Sequence, residues 1–405
     1  MSFPGTGPWT IDGQTYIYLP YKLTLPLAPT GGLLYYPMPV PITNNAIIGS
    51  SCNPDLSDLR FTDVNGNLLY HEIVNGYLST GLSYPMANGF FFVQIPSISA
   101  STNTIIYCFY GCSSQTQHTR SWQSNVWVEN GSQNFAAVYH FNKNGVFSYL
   151  DSTINENDLQ QWPGNGNHTA QVVLSTASLP CGLLGAYTGY QGVLSAADST
   201  SLEITGPNIT EESWIIPTSQ TVASEWIGKY TPQTYNNGYY MEYLNTEGLG
   251  CEFGFFNGAS YANNPRINTT TTIPLNIPTY IAGVLNNGTV NGEAGILCYY
   301  NSLNQPGTYP YQTGSDTITA DTSLLLIGFA MGGNSFNYGT IFEIRLSKIT
   351  RSQSYLTYTN TVLSTVGSGI TWSTNALLLN GNPNISVPNG VYYPKSKLFI
   401  SSSVI

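Results

Sequence analysis

The chain has 405 residues, of which 8% are charged, and 21 acids against 11 Lys and Arg leave a formal charge of −10. An ordinary globular domain carries roughly 25% charged residues, so solubility here rests on Ser, Thr, Asn, Gln and Tyr. The charge balance argues against a nucleic-acid binder, which needs a basic stripe to displace counterions. The 13% aromatic content, with 30 Tyr, argues against a disordered chain.

At the N-terminus neither a basic region nor an apolar core of a secretory signal is written. No 18-residue apolar run exists, and the longest candidate, residues 324–331, is strand length. Few ionisable groups suit a surface exposed to a harsh medium, although weak ion pairing is an equally plain reading. One expectation that reconciles the two is a particle protein, assembled inside the cell and exposed after release. Pro26, Pro29, Pro37, Pro39 and Pro41 predict an extended arm over residues 1–45. Short runs of Val, Ile, Tyr, Phe and Thr then alternate with turn dipeptides: Asn65-Gly66, Asn75-Gly76, Asn88-Gly89, Asn237-Gly238 and Asn287-Gly288. Helical periodicity is scarce, so the fold class is all-β. The expected order is a small β-sandwich over 46–120, a linker over 121–134, a larger sandwich over 135–366 and a strand-rich tail over 367–405. Six cysteines are too scattered for a disulfide scaffold. Cys108 and Cys112 are the one close pair, and without a second pair or a nearby His they are a weak zinc signal. Buried thiols or one or two disulfides fit better.

Two stretches resemble known modules. DLRFTD (58–63), NGNLLYHE (65–72), FVQIPSISA (92–100) and TIIYCFYG (104–111) occur in the order of a domain of unknown function from archaeal and bacterial surface proteins. The resemblance covers residues 16–120. TGPNIT (205–210), WIIPTS (214–219), Gly228-Lys229, LCYYN (297–301) and GTIFEIRLS (339–347) with Arg351-Ser352 resemble a concanavalin A-like jelly roll of the laminin-G-like kind. That resemblance covers 135–366 and implies the jelly-roll fold, which hosts lectins, enzyme accessory modules and structural parts alike. The residues support it independently. Ile341, Glu343, Arg345 and Ser347 alternate with Phe342, Ile344 and Leu346, as in a half-buried strand, and Trp214 and Trp226 suit core anchors.

In that family the turn after the first strand often carries a glycine-containing acidic loop that can hold calcium. Here residues 151–158 read DSTINEND, with Ile154 and Glu156 in the glycine positions and Phe342 in place of an acid beside Glu343. Asp151, Asn157 and Glu343 are the calcium ligands the resemblance implies; a hydrogen-bonded turn without a metal is the competing expectation. For carbohydrate, exposed aromatics and amides are needed, and Tyr230, Tyr235, Tyr239, Asn236 and Asn237 are the candidates. Glu242, Glu247 and Glu252 are the acids considered for glycoside hydrolysis, which needs a flanking pair; no hydrolase motif accompanies them, so no enzyme is expected. Glycosylation sequons stand at Asn130, Asn167, Asn208, Asn268, Asn287 and Asn384. The expectation is a non-enzymatic structural or attachment protein on a virion surface, oligomeric, without a required cofactor, reading a host glycan. The alternative is a cellular surface-layer or adhesion protein with lectin-like binding.

Overall fold

The computed structural model describes residues 7–79, 85–162, 171–189, 192–219, 224–231, 237–243, 250–258, 265–290, 293–309, 317–329 and 339–374. It is all-β, built of antiparallel sheets. No helix among the described residues is long and apolar enough to cross a membrane.

The first sandwich has a three-stranded sheet in the order Leu33–Asn45, Met86–Ile98, His71–Ser79. Facing it is a four-stranded sheet, Thr371–Thr374, Tyr21–Thr24, Ile105–Phe109, Arg60–Thr62. The Pro-rich stretch expected to be an arm is therefore part of this sandwich. Leu33–Asn45 is an edge strand with one partner, and Pro37, Pro39 and Pro41 lie opposite Gln94, Phe92 and Phe90. Proline lacks an N–H, which an edge strand does not need on its open side. Between the prolines, Tyr36, Met38, Val40 and Ile42 are buried.

Of the tail expected over 367–405, residues 375–405 lie outside the described residues, and the described part joins the first sandwich. Thr371–Thr374 returns to pair with Tyr21–Thr24, and Trp372 meets Tyr21 edge-on at 5.6 Å. The preceding helix, Gln353–Ser364, begins at Ser352, whose side chain accepts from Tyr355 N. It buries Tyr355, Leu356, Tyr358 and Val362 against the first sandwich, and Thr359 accepts the Tyr36 hydroxyl at 3.2 Å. The first module thus draws on both ends of the described chain.

The second sandwich stacks two eight-membered sheets. The proximal sheet runs Val173–Ser178, Leu184–Tyr187, Gly339–Ser347, Ile209–Pro217, Thr279–Val290, Glu293–Tyr300, Leu303–Asn304, and Phe135–Tyr139 also pairs with Gly339–Ser347. The distal sheet runs Leu159–Gln161, Leu194–Ala196, Leu325–Ile327, Ser224–Tyr230, Asn237–Tyr243, Cys251–Asn257, Arg266–Thr269, Gly307–Thr308. Between them lies a core that includes Trp226, Phe253, Phe255, Ile281 and Ile344. A second core joins the proximal sheet to the first module: Trp214, Tyr280, Val284 and Phe342 pack in one cluster with Tyr36, Phe92 and Leu356. The simple alternation expected in Gly339–Ser347 is broken by a register shift against Ile209–Pro217. Ile341 and Ile344 consequently share the inter-sheet core, while Phe342 faces the first module.

Candidate functional site

A cavity of about 280 Å³ opens where the two modules and their connection meet. Three pieces of chain line it. Glu72 comes from the strand His71–Ser79; Gln117, His118, Arg120, Gln123 and Ser124 come from the connection; Lys143, Leu150, Asp151 and Ser152 come from the opening hairpin of the second sandwich. A one-turn helix, Arg120–Gln123, is capped by the Thr119 side chain, which fixes the direction of Arg120. Arg120 donates to Asp158 Oδ2 and to the Asp151 carbonyl, at 2.9 and 2.8 Å. The Asp158 hydrogen bond holds the guanidinium pKa above its ordinary value. Gln123 ties the cavity to the first module, accepting from Ile73 N at 3.2 Å.

Behind the cavity lies a buried ionic network. Glu72 accepts from Ser152 Oγ at 2.6 Å and from Trp127 Nε1 at 2.9 Å. His140 meets Glu343 at 2.8 Å and Glu72 at 3.5 Å, and Arg345 reaches Glu343 at 2.5 Å. Burial disfavours the charged imidazole, but Glu343 and then Glu72 outweigh it and hold the His140 pKa at about 9. Burial also works against both carboxylates, yet Glu72 and Glu343 are held below the ordinary value by these cations. Lys143 donates to the Ile73 carbonyl; burial lowers its pKa, against the pull of Glu72.

One lining residue, His118, belongs to an aromatic group beside the cavity. His118 stacks on Trp122 with ring centres 3.5 Å apart, and Tyr70 leans on Trp122 at 5.0 Å. Trp122 is half-buried, and Tyr70 is 40% exposed. Burial and then Arg60 lower the His118 pKa to about 4, against Asp12, so this ring is neutral at physiological pH. The site therefore combines amides, hydroxyls, internally paired charges and exposed ring surface. Such a set suits a ligand with many hydroxyls and an apolar face.

The calcium ligands implied by the resemblance are placed differently. Asp151 accepts from Val138 N, Thr153 N and Asn157 N, each at 2.9 Å, and from Thr153 Oγ1 at 2.8 Å. Asn157 Oδ1 accepts from Ser199 and Ser201, and Glu343 serves His140 and Arg345. Their oxygens already face donors, which a cation would have to displace. Among the described residues no group of three His, Cys, Asp or Glu is arranged to hold a metal. Glu156 keeps a left-handed φ of 54° although it is not glycine, so the turn holds that shape at the substituted position.

The sugar-binding candidates are also corrected. Tyr230 and Tyr239 are buried, at 4% and 1% exposure. Tyr239 points into the inter-sheet core and donates to the Leu202 carbonyl. Tyr230 packs with Tyr240 and Phe256 and donates to Glu225 Oε2 at 2.7 Å. Asn237 is half-buried in its strand, and Tyr235 and Asn236 lie outside the described residues. Register also aligns acids that sequence spacing concealed. Glu225 lies opposite Glu242, which lies opposite Glu252, across three adjacent strands of the distal sheet. Glu225 is pushed well above the ordinary carboxylate range, by burial first and then by Glu242, while Glu252 faces Arg266 at 3.5 Å. The three are 0%, 7% and 5% exposed, so the row is buried. Glu247 lies outside the described residues.

Of the sequons, Asn130 is exposed and accepts from the Tyr35 hydroxyl. Asn208 accepts from Thr350 Oγ1. Asn268 is half-buried within Arg266–Thr269. Asn287 falls in the strand Thr279–Val290, and Asn167 and Asn384 lie outside the described residues.

No protein-family model matches the chain, and no curated protein matches it either. Among solved structures it is similar to domain 4 of a GH43 extracellular arabinanase from Geobacillus stearothermophilus, in complex with arabinotriose: 15% identity, 55% of this chain and 97% of that one, TM-score 0.39. It is also similar to the botulinum neurotoxin serotype D binding domain, at 11% identity over 56% of this chain, TM-score 0.39. The match spans about half of that toxin domain, 50% of its length. A heptameric SAP-like pentraxin from Limulus polyphemus gives 12% identity over 43% of this chain and 85% of that one, TM-score 0.29. At these identities and scores the functional argument rests on the chain's own residues.

Proposed function

We propose that the chain is a non-enzymatic attachment protein that binds a neutral glycan in the cavity between its modules and is displayed, as an oligomer, on the surface of a virion. The observation that carries the reading is the polar cavity of about 280 Å³, whose lining residue His118 stacks on Trp122 with Tyr70 beyond it. Its volume lies near the lower end of small-ligand pockets, about 300 Å³, and its amides match sugar hydroxyls. A neutral sugar is favoured because Arg120 is paired with Asp158 and Lys143 is held by the Ile73 carbonyl. The virion setting is supported by the low charge and the surface-protein resemblance of residues 16–120.

A glycan array with the full chain, followed by titration of the best hit, tests the binding. Tyr70→Ala is expected to weaken it at least tenfold while the circular dichroism spectrum stays unchanged. No hit on the array, or a hit indifferent to Tyr70→Ala and Gln117→Ala, would overturn the cavity as the site. Mass spectrometry of purified particles tests the setting independently: a fixed stoichiometry supports a virion component, and absence from particles favours the cellular surface protein.

A further inference from the structure

We propose that Cys251 and Cys298 form a disulfide that staples the two sheets of the second sandwich. Both are thiols in this structure. Cys251 opens the strand Cys251–Asn257 of the distal sheet, and Cys298 lies in Glu293–Tyr300 of the proximal sheet. Each is fully buried in the same inter-sheet core. Cys251 shares its side of the strand with Phe253 and Phe255, all three in that core, as Cys298 does with Ile296 and Tyr300. The two thiols lie close enough to perturb each other, while Cys251 Sγ donates to the Glu252 carbonyl at 3.5 Å.

The surrounding residues hold them there. The Cys251 amide donates to Thr269 Oγ1 at 2.8 Å, and that same hydroxyl is hydrogen-bonded across the sandwich to the Tyr300 hydroxyl. Gly250 makes room for it, since a Cβ there would lie 2.4 Å from the Tyr300 oxygen. The sheets are therefore already pinned beside the cysteines, and closing the bond brings the two sulfurs to about 2.05 Å.

The reaction is thiol–disulfide exchange with a small-molecule disulfide. Two protein S–H bonds and the reagent's S–S bond break. One protein S–S bond forms, and the reagent leaves as two thiols carrying the two protons and two electrons. Burial raises the Cys251 thiol well above its ordinary pKa, and exchange needs a thiolate. The bond should therefore form while the core is still closing, not afterwards.

The test is refolding of the reduced, denatured full chain in a mixture of oxidised and reduced glutathione. The product is alkylated in denaturant and mapped by peptide mass spectrometry. The expected result is a Cys251–Cys298 linked peptide and protection of both residues from alkylation. Reduction with dithiothreitol should then lower the thermal midpoint by about 5 °C, because the bond closes a loop of about 50 residues in a large single unit. Cys298→Ala should abolish this reductant-dependent shift, whatever it does to absolute stability. Recovery of folded protein with six alkylatable cysteines, or with a different pairing, would overturn the proposal, as would a shift that survives in Cys298→Ala.

Discussion

Glu156 and Glu211 are single residues that the fold holds in uncomfortable states. Glu156 has φ 54° in the turn after Asp151, a region that costs an ordinary residue roughly 1 kcal/mol relative to glycine. Its ion pair with Arg120, at 3.9 Å and well exposed, returns little. Glu156→Gly is therefore expected to stabilise by about 0.5–1 kcal/mol in denaturant titration, and a clear loss would show that the ion pair matters more than the backbone. Glu211 is fully buried, and neither carboxylate oxygen has a partner among the described residues. Burial holds its carboxyl well above the ordinary 4.5. The folded chain thus keeps a proton that the unfolded chain releases above pH 4.5. Stability falls as pH rises from there, by about 1.4 kcal/mol per pH unit for each such group. His140, raised to about 9, acts in the same direction, since its stabilisation is complete below 6.5 and lost through 9. The thermal midpoint should be lower at pH 8.5 than at pH 6.5. Glu211→Gln should flatten that slope; a slope unchanged by the substitution would place its origin elsewhere.

Elements were legible where burial follows local pattern and hidden where it follows a distant partner. The all-β class and the two sandwiches could be read from short aromatic and β-branched runs. Asn-Gly pairs were a poorer guide. Asn75-Gly76 and Asn88-Gly89 lie inside strands, with Gly76 opposite Gly89. There the glycines permit close approach: a Cβ on Gly76 would meet the Asp55 carbonyl at 2.6 Å. The burial of Tyr230 and Tyr239, and the donors that occupy the oxygens of Asp151, could not be read because residue type does not say which face is covered. The Glu225–Glu242–Glu252 row was invisible because it depends on cross-strand register. The junction cavity needed three distant segments to meet. The return of Thr371–Thr374 to Tyr21–Thr24 had no local signal at all, and it is open to test. Two truncations, ending after residue 374 and after residue 369, share the loss of everything beyond. The shorter one also loses the edge strand and the Trp372–Tyr21 contact. At about 1 kcal/mol per ladder hydrogen bond, it should be less stable by about 2–4 kcal/mol and should be cleaved first near residues 21–24 in limited proteolysis. Equal midpoints for the two would mean that the strand adds nothing.

Across the whole molecule, the two modules share one apolar cluster, and this decides how the protein should unfold. Trp214, Tyr280, Val284 and Phe342 of the proximal sheet are buried with Tyr36, Phe92 and Tyr355 of the junction. Among them runs the ionic network, with Arg345 placed 5.6 Å over the Phe92 ring and 5.4 Å over Trp127 and bonded to Glu343. Neither module can leave without exposing large rings and stranding buried charges, whose separation from a partner typically costs about 3–5 kcal/mol. The described chain should therefore unfold in a single calorimetric transition, with calorimetric and van't Hoff enthalpies in agreement. Residues 135–351 expressed alone should aggregate or unfold well below the intact chain, because the face carrying Trp214, Tyr280 and Phe342 would be open to water. Arg345→Ala should lower the midpoint by several degrees and keep the transition single, since the residue belongs to both halves. Two separate transitions in the intact chain, or a soluble fragment as stable as the whole, would mean that the shared cluster does not couple the modules.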